Sequence, residues 1–321
     1  MSGLLDGVRA ACGEVARRAR FVRVAEERVP AYAASLPLER IRRPEHDPAA
    51  HYLGHGADTV AFFLTLDAVN FGSGYFPHLR KRPGRSGYFT IASCLADRFR
   101  ADGPLSAKAL ATITPQACTR TFGQDPGNEP IAELMGLFAR ALTDLGRLLL
   151  DRYGGSFTTL VEAAGGSAER LVERLTAMPL FRDVSDYEGL RVPFYKRAQL
   201  AAADLAVAFG GEGWGRFEDL DRLTIFADNL VPHVLRHDGV LAYDGGLAAR
   251  IDAGERLPAG SAEEVEIRAC AVHAVERMVA SLSAAAREVT AMGLDYLLWT
   301  RGQAPAYKAD KPRHRTRTVF Y

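Results

Sequence analysis

The chain has 321 residues, 48% of them hydrophobic and 25% charged, the composition of an ordinary globular protein rather than a disordered one. There are 40 Lys and Arg against 39 Asp and Glu, a formal net charge of +1, which argues against a protein held on nucleic acid by bulk electrostatics. At roughly 100–200 residues per domain the length allows one large domain or two modest ones, with a core that requires no disulfide or metal staple.

The stretch from Met1 to Arg23 carries Arg9, Arg17, Arg18, Arg20 and Arg23 together with Asp6 and Glu14. It lacks the apolar run and small-residue cleavage site of a secretory signal. The longest apolar stretches, such as Val60 to Leu66, are too short to span a bilayer, so a cytoplasmic location without a membrane partner is expected. Val60, Phe63, Leu64, Ala68 and Phe71 recur at helical spacing and predict a helix stopped by Gly72-Ser73-Gly74. From Pro130 to Tyr153, Ile131, Leu134, Met135, Phe138, Leu142, Leu145 and Leu149 form one apolar face. Pro130 suits that helix's first turn, and Gly154-Gly155 ends it.

Leu190 to Tyr195 reads as a short extended segment around Pro193, and Gly189 to Pro193 is a weak candidate boundary. A helix from about Ala198 to Phe209 stops at Gly210-Gly211. Ser261-Ala262-Glu263-Glu264 reads as a capping box that opens a long helix through about Leu282. Another helix runs through Leu294 to Trp299, and Arg315 to Tyr321 alternates enough to suggest a strand. No strand–helix rhythm recurs, which argues against a doubly wound sheet. The predicted fold is mostly α with few short strands, residues 1–321 forming one unit, with room for two helical lobes around a cleft.

Most short motifs carry little. Cys12, Cys94, Cys118 and Cys270 lie far apart and read as small core residues in a reducing compartment. Gly210 to Gly215 resembles a phosphate loop in composition, but it follows a helix and ends in no Lys-Ser/Thr, so a helix–helix turn fits better. His51 and His55 could share a helix face and hold a metal, but no HExxH accompanies them. The tail from Lys308 to Arg317 holds five Lys or Arg and one Asp, either a solvated basic face or a place to meet phosphates.

Four stretches concentrate functional side chains among small and apolar ones. Leu66 to Pro77 puts Asp67 and Asn70 on one face of a helix end before a glycine turn. Val192 to Gln199 brings Tyr195, Lys196, Arg197 and Gln199 to the start of an apolar helix, where backbone N–H groups favour an anion. Leu223 to His233 holds Asp228 in an almost wholly apolar run. Gly293 to Trp299 places Asp295 and Trp299 one helical turn apart. A buried carboxylate costs several kcal/mol unless paired or hydrogen-bonded, so Asp228 is either a catalytic acid, a partner of Lys196 or Arg197, or a cap for a helix restarting near Pro232.

At these segments the sequence resembles the queuosine salvage protein family, the queuosine 5'-phosphate N-glycosylases. The resemblance rests on LDAVNFGSGYFP (66–77), SGYFTIA (86–92), YGGSF (153–157), VPFYKRAQ (192–199), IFADNLVPHVL (225–235), EEVEIRA (263–269) and LDYLLW (294–299). It implies a helical fold similar to helical DNA glycosylases and hydrolysis of the N-glycosidic bond of queuosine 5'-monophosphate. The products would be queuine, a modified 7-deazaguanine, and ribose 5-phosphate, with queuine reinserted into tRNA by a separate transglycosylase. No metal or organic cofactor and no DNA or RNA duplex is expected.

The resemblance puts the catalytic carboxylate at Asp228, the family's lysine at Lys196, an aromatic at Phe226 and an acid at Asp295, with a base-contacting histidine at either His46 or His51. On chemical grounds Lys196, with Arg197 or Tyr195, is expected to hold the 5'-phosphate, and Trp299 or Tyr296, with Asn70, is expected beside the base. A carboxylate beneath C1' would stabilise the oxocarbenium-like charge that builds as the C–N bond breaks. A 7-deazapurine lacks N7, so the leaving base must be stabilised through its other edges. Asp295 is expected to accept hydrogen bonds from the base or its cationic amine arm, with Phe226 stacking on the ring. A nucleic-acid base glycosylase and a non-enzymatic queuine-binding protein are the competing functions.

Overall fold

A computed structural model describes residues 3–41, 44–309 and 311–321. Met1, Ser2 and Asp310, which entered the reading of the two termini, lie outside the described residues. The described chain is mostly α-helical, with two two-stranded antiparallel sheets. One pairs strand Val22–Val24 with strand Leu241–Tyr243, and the other is the hairpin of Val184–Tyr187 and Leu190–Pro193. Among the described residues no helix is long and apolar enough to cross a membrane.

The apolar periodicities become helices close to where they were predicted. Helix Glu129–Tyr153 buries Ile131, Leu134, Met135, Phe138, Leu142, Leu145 and Leu149, carries Pro130 in its first turn and ends on left-handed Gly154. Helix Ala57–Ala68 stops three residues before Phe71, and Asn70 stays beside it by donating from Nδ2 to Asp67 Oδ1 at 3.3 Å. Helix Lys196–Ala208 begins two residues before Ala198. Ser261 caps helix Ala262–Ala284 by accepting from Glu264 N, while the Glu264 carboxylate accepts from Gly260 N rather than closing a capping box on Ser261. Gly213–Gly215 is a 3-10 turn after the Lys196–Ala208 helix. All four cysteines are free and buried.

Arg315 to Tyr321 does not form the expected strand. Its one bridge joins Arg315 to Arg256, and the segment is held instead by single contacts to several loops. Gly72 N and Ser73 N donate to Tyr321 O at 2.9 and 3.4 Å, and Leu257 N donates to Arg315 O at 2.8 Å. This explains two glycines. A side chain at Gly74 would collide with the backbone of Thr316 and Arg317, and Gly72 sits at φ 100°, a conformation that L side chains rarely adopt.

The Lys196–Ala208 helix packs on Ala57–Ala68 and on Ala168–Leu175, and Ala291–Gly302 packs on Leu230–His237. Helix Ala262–Ala284 joins these parts through a buried ion pair. Arg268 Nη1 and Nη2 donate to Asp183 Oδ1 and Oδ2 at 3.0 and 2.6 Å, and Arg268 Nε donates to Ala227 O at 3.0 Å. The guanidinium lies 3.9 Å from the Phe194 ring centre and 4.8 Å from that of Tyr321. Removing one partner strands a buried charge, so Arg268→Met is expected to cost about 3–5 kcal/mol. The cost should appear as a lower urea midpoint, partly restored in Arg268→Met/Asp183→Asn; a single variant as stable as the wild type would contradict this role.

Candidate active site

Lys196 lies at the first turn of its helix, buried and 6% exposed. The preceding Tyr195 is left-handed, with φ 50°, a strained conformation for an aromatic residue. Asp183 holds it there. Its carbonyl accepts from Phe194 N at 2.9 Å and Tyr195 N at 3.3 Å, and its Oδ2 accepts from Lys196 N at 3.2 Å. Asp183 therefore occupies the anion position at this helix start.

Arg197 is engaged within the fold as well. Its Nη1 donates to Ala68 O at 2.6 Å and Asp67 O at 3.3 Å, and Nη2 donates to Leu180 O. Its guanidinium lies between the rings of Phe71 and Phe181, at 4.6 and 4.5 Å. It fastens the core with both terminal nitrogens engaged. The charges that act on the half-buried Tyr195 phenol are those of Arg191, Asp183 and Arg182, on the hairpin side.

Lys196 Nζ instead enters a cluster of acids. It donates to Asn70 O at 3.5 Å and feels the charges of Asp228, Asp67 and Asp295, while burial lowers its pKa. Asp228 follows the carbonyl gripped by Arg268, and its Oδ1 accepts from Leu230 N at 2.7 Å and Val231 N at 3.3 Å. Asp228 is thus the cap of helix Leu230–His237, but the capping bonds take only Oδ1. Oδ2 has no hydrogen-bond partner among the described residues, and the residue is half-buried rather than sealed in the core. Cap and free carboxylate oxygen coexist in one side chain.

Asp295, on helix Ala291–Gly302, is buried, and its Oδ1 accepts from Phe226 N at 2.9 Å. Burial, reinforced by the nearby Asp228 charge, pushes its carboxyl up to about 8. It holds a proton at neutral pH, so in the empty site it is a donor as well as an acceptor. Asp204 and Asp67 form a second acid pair. Burial first, opposed mainly by the His51 charge, sets Asp204 at about 6, and burial plus the Asp204 charge raises Asp67 well above the carboxylate range. Asp204 Oδ1 also accepts from Tyr296 OH at 3.0 Å.

The two candidate histidines differ. His51 uses both nitrogens: Nδ1 donates to Asp47 O at 2.9 Å, and Nε2 accepts from Tyr88 OH at 2.9 Å. His46 Nε2 must donate to Asp204 O, 3.0 Å away, since a carbonyl only accepts. Burial lowers His46 to about 4, so it is neutral, and Nδ1 is left as an acceptor with no hydrogen-bond partner among the described residues. Phe226 and Tyr296 meet edge to face at 6.2 Å, as do Tyr88 and Trp299 at 6.1 Å. His46, Asn70, Tyr88, Asp228, Tyr296 and Trp299 are each half-buried and form the open side of the cluster. His55 instead stacks on Tyr52, and among the described residues no group of three or more His, Cys, Asp or Glu could hold a metal.

Sequence reasoning did not single out Asp183, Arg268, Asp204 or Tyr88 individually. Arg268 and Tyr88 lie inside EEVEIRA and SGYFTIA, and Asp204 is an acid in the apolar run Ala201 to Ala208, the same signal that marked Asp228.

An acid cluster with a buried lysine, aromatic edges and unpaired donors and acceptors suits a flat, polar, hydrogen-bonding small molecule. The model of the queuosine salvage protein family matches residues 50–321. A queuosine 5'-phosphate N-glycosylase/hydrolase of Sphaerobacter thermophilus is 38% identical over 322 residues, 98% of this chain and 98% of its own. The proteins of that name from Dictyostelium discoideum and Mus musculus are 34% and 32% identical, covering 82% and 96% of this chain and 78% and 96% of their own. The chain belongs to the queuosine salvage protein family.

The raised Asp295 has a consequence for stability. An unfolded aspartate releases its proton near ~3.9, whereas folded Asp295 keeps it up to about 8. Between those values the folded state binds more protons, so this group's contribution to stability falls as pH rises. Asp295→Asn keeps the acceptor for Phe226 N and cannot ionise. Its urea midpoint should therefore gain on the wild type progressively from pH 5 to pH 9; a difference independent of pH would contradict the assignment.

Proposed function

We propose that this protein hydrolyses the N-glycosidic bond of queuosine 5'-monophosphate to queuine and ribose 5-phosphate, residues 1–321 working as one unit. The observation that carries the reading is Asp228: a carboxylate with one oxygen fixed by Leu230 N and Val231 N and the other free beside buried Lys196. Fixing Oδ1 sets the direction of Oδ2 before substrate arrives. A preorganised carboxylate beneath C1' stabilises the positive charge of the breaking bond without reorganising in the transition state. The Asp228 charge in turn acts on buried Lys196. Relatives named for this reaction match nearly the whole chain.

The base is held by groups of complementary sense. His46 Nδ1 accepts an N–H of the deazapurine, and the protonated Asp295 donates to a carbonyl or ring nitrogen. With no N7 to protonate, this donor is the means by which negative charge on the departing base is met. Phe226, Tyr296 and Trp299 border the ring, and Asn70 closes the edge beside Lys196.

Asp228→Asn removes the charge and keeps the shape and the Oδ1 cap. It should release queuine from queuosine 5'-monophosphate slower by on the order of 10³-fold or more, while queuine still binds in calorimetry. Near-normal turnover would overturn the role of Asp228, and loss of both binding and folding would reduce it to a helix cap.

A further inference from the structure

The Lys308–Arg317 basic segment acquires a position in the structure that its composition alone does not give. Residues 311–321 run back past the acid cluster. Asn229, next to Asp228, donates from Nδ2 to His314 O at 3.2 Å and lies 3.2 Å from Ser73 Oγ. Buried His314, Thr316 and Thr318 alternate with outward Arg313, Arg315 and Arg317. His314 Nε2 meets Tyr321 OH at 3.2 Å, and Leu257 and Gly74 fix the backbone at Arg315 and Thr316. The segment is therefore fastened from His314 onward, beginning at Asn229, one residue from Asp228.

The cations around Asp228 are not equivalent. Arg268 is held by Asp183, Arg197 by carbonyls, and Lys196 by Asn70 and three surrounding acids. Arg317 meets Glu133 at 3.4 Å and lies over Tyr75. Arg313 is exposed and makes no hydrogen bond or ion pair among the described residues. The charges that act on it are those of Asp228, attractive, and Arg315, repulsive. A guanidinium offers a fork of N–H donors that matches a phosphate, and here that fork is free, near Asp228, one residue before the fastened backbone. Lys196 lies too deep among carboxyls to draw a dianion.

We propose that Arg313 receives the 5'-phosphate of the nucleotide, with the ribose lying between it and Asp228. Arg313 is thereby the residue that makes this site read a nucleotide rather than a nucleoside. The assignment rests on the proposed reaction for its substrate, and it replaces Tyr195, Lys196 and Arg197 as the phosphate contact.

Two measurements separate it from that reaction. In the first, kcat/KM is determined for queuosine 5'-monophosphate and for queuosine with wild type, Arg313→Ala and Arg313→Lys. The ratio of nucleotide to nucleoside should fall about 10- to 100-fold in Arg313→Ala, the range of one or two charge-assisted hydrogen bonds. It should recover partly in Arg313→Lys; an unchanged ratio overturns the assignment. In the second, ribose 5-phosphate should raise the thermal midpoint of the wild type more than ribose does, and this difference should vanish in Arg313→Ala. A difference that persists in Arg313→Ala, or is absent from the wild type, overturns the proposal. If wild type cleaves neither substrate, the reaction fails, and the ribose 5-phosphate result still decides on Arg313.

Discussion

The geometry around Asp228 depends on the buried pair of Arg268 and Asp183. Both side chains are almost wholly excluded from solvent, at 1% and 2% exposed, where an unpaired charge would be costly. The bidentate bonds satisfy the charges, and the remaining donors and acceptors reach outward to two backbones. Arg268 Nε takes the carbonyl of Ala227, and Asp183 takes the N–H groups of Phe194, Tyr195 and Lys196. One ion pair on helix Ala262–Ala284 thus sets where Asp228 and Lys196 begin. The left-handed turn at Tyr195 follows from the same grip.

Protonation gives the cluster its chemistry. Asp67, Asp204, Asp228 and Asp295 gather around Lys196. Burial is the largest cause of the upward shifts at Asp67, Asp204 and Asp295, and Asp295 keeps its proton at neutral pH. Asp228 differs by position: it is half-buried, its Oδ1 is bonded by two backbone N–H groups, and Lys196 is close. The arrangement leaves one carboxylate oxygen free where positive charge must develop and keeps a neutral carboxyl, Asp295, where a hydrogen-bond donor is useful.

Much of this was legible in the sequence, for identifiable reasons. Apolar spacing located the 129–153 helix because one face of it is buried along its whole length. An acid inside an apolar run marked Asp228, since burial of a carboxylate needs a reason. Partners were less legible. Arg197 looks like an anion ligand beside Lys196, yet the carbonyls of Ala68 and Leu180 that occupy it come from segments far away in the chain. His46 and His51 are equivalent by residue type, and only their hydrogen bonds separate a free nitrogen from a fully engaged ring. The alternation of 315–321 suggested a strand, but its alternate burial comes from packing on the glycine turn and Leu257 without a neighbouring strand.

The central claim is that the free oxygen of Asp228 serves glycosidic bond cleavage in a queuosine nucleotide. The most direct measurement mixes purified protein with queuosine 5'-monophosphate and quantifies queuine and ribose 5-phosphate together by chromatography with mass detection. The account predicts that both accumulate in equal amounts over many turnovers. Queuosine 5'-monophosphate that binds and remains intact would contradict it and leave a binding protein in its place.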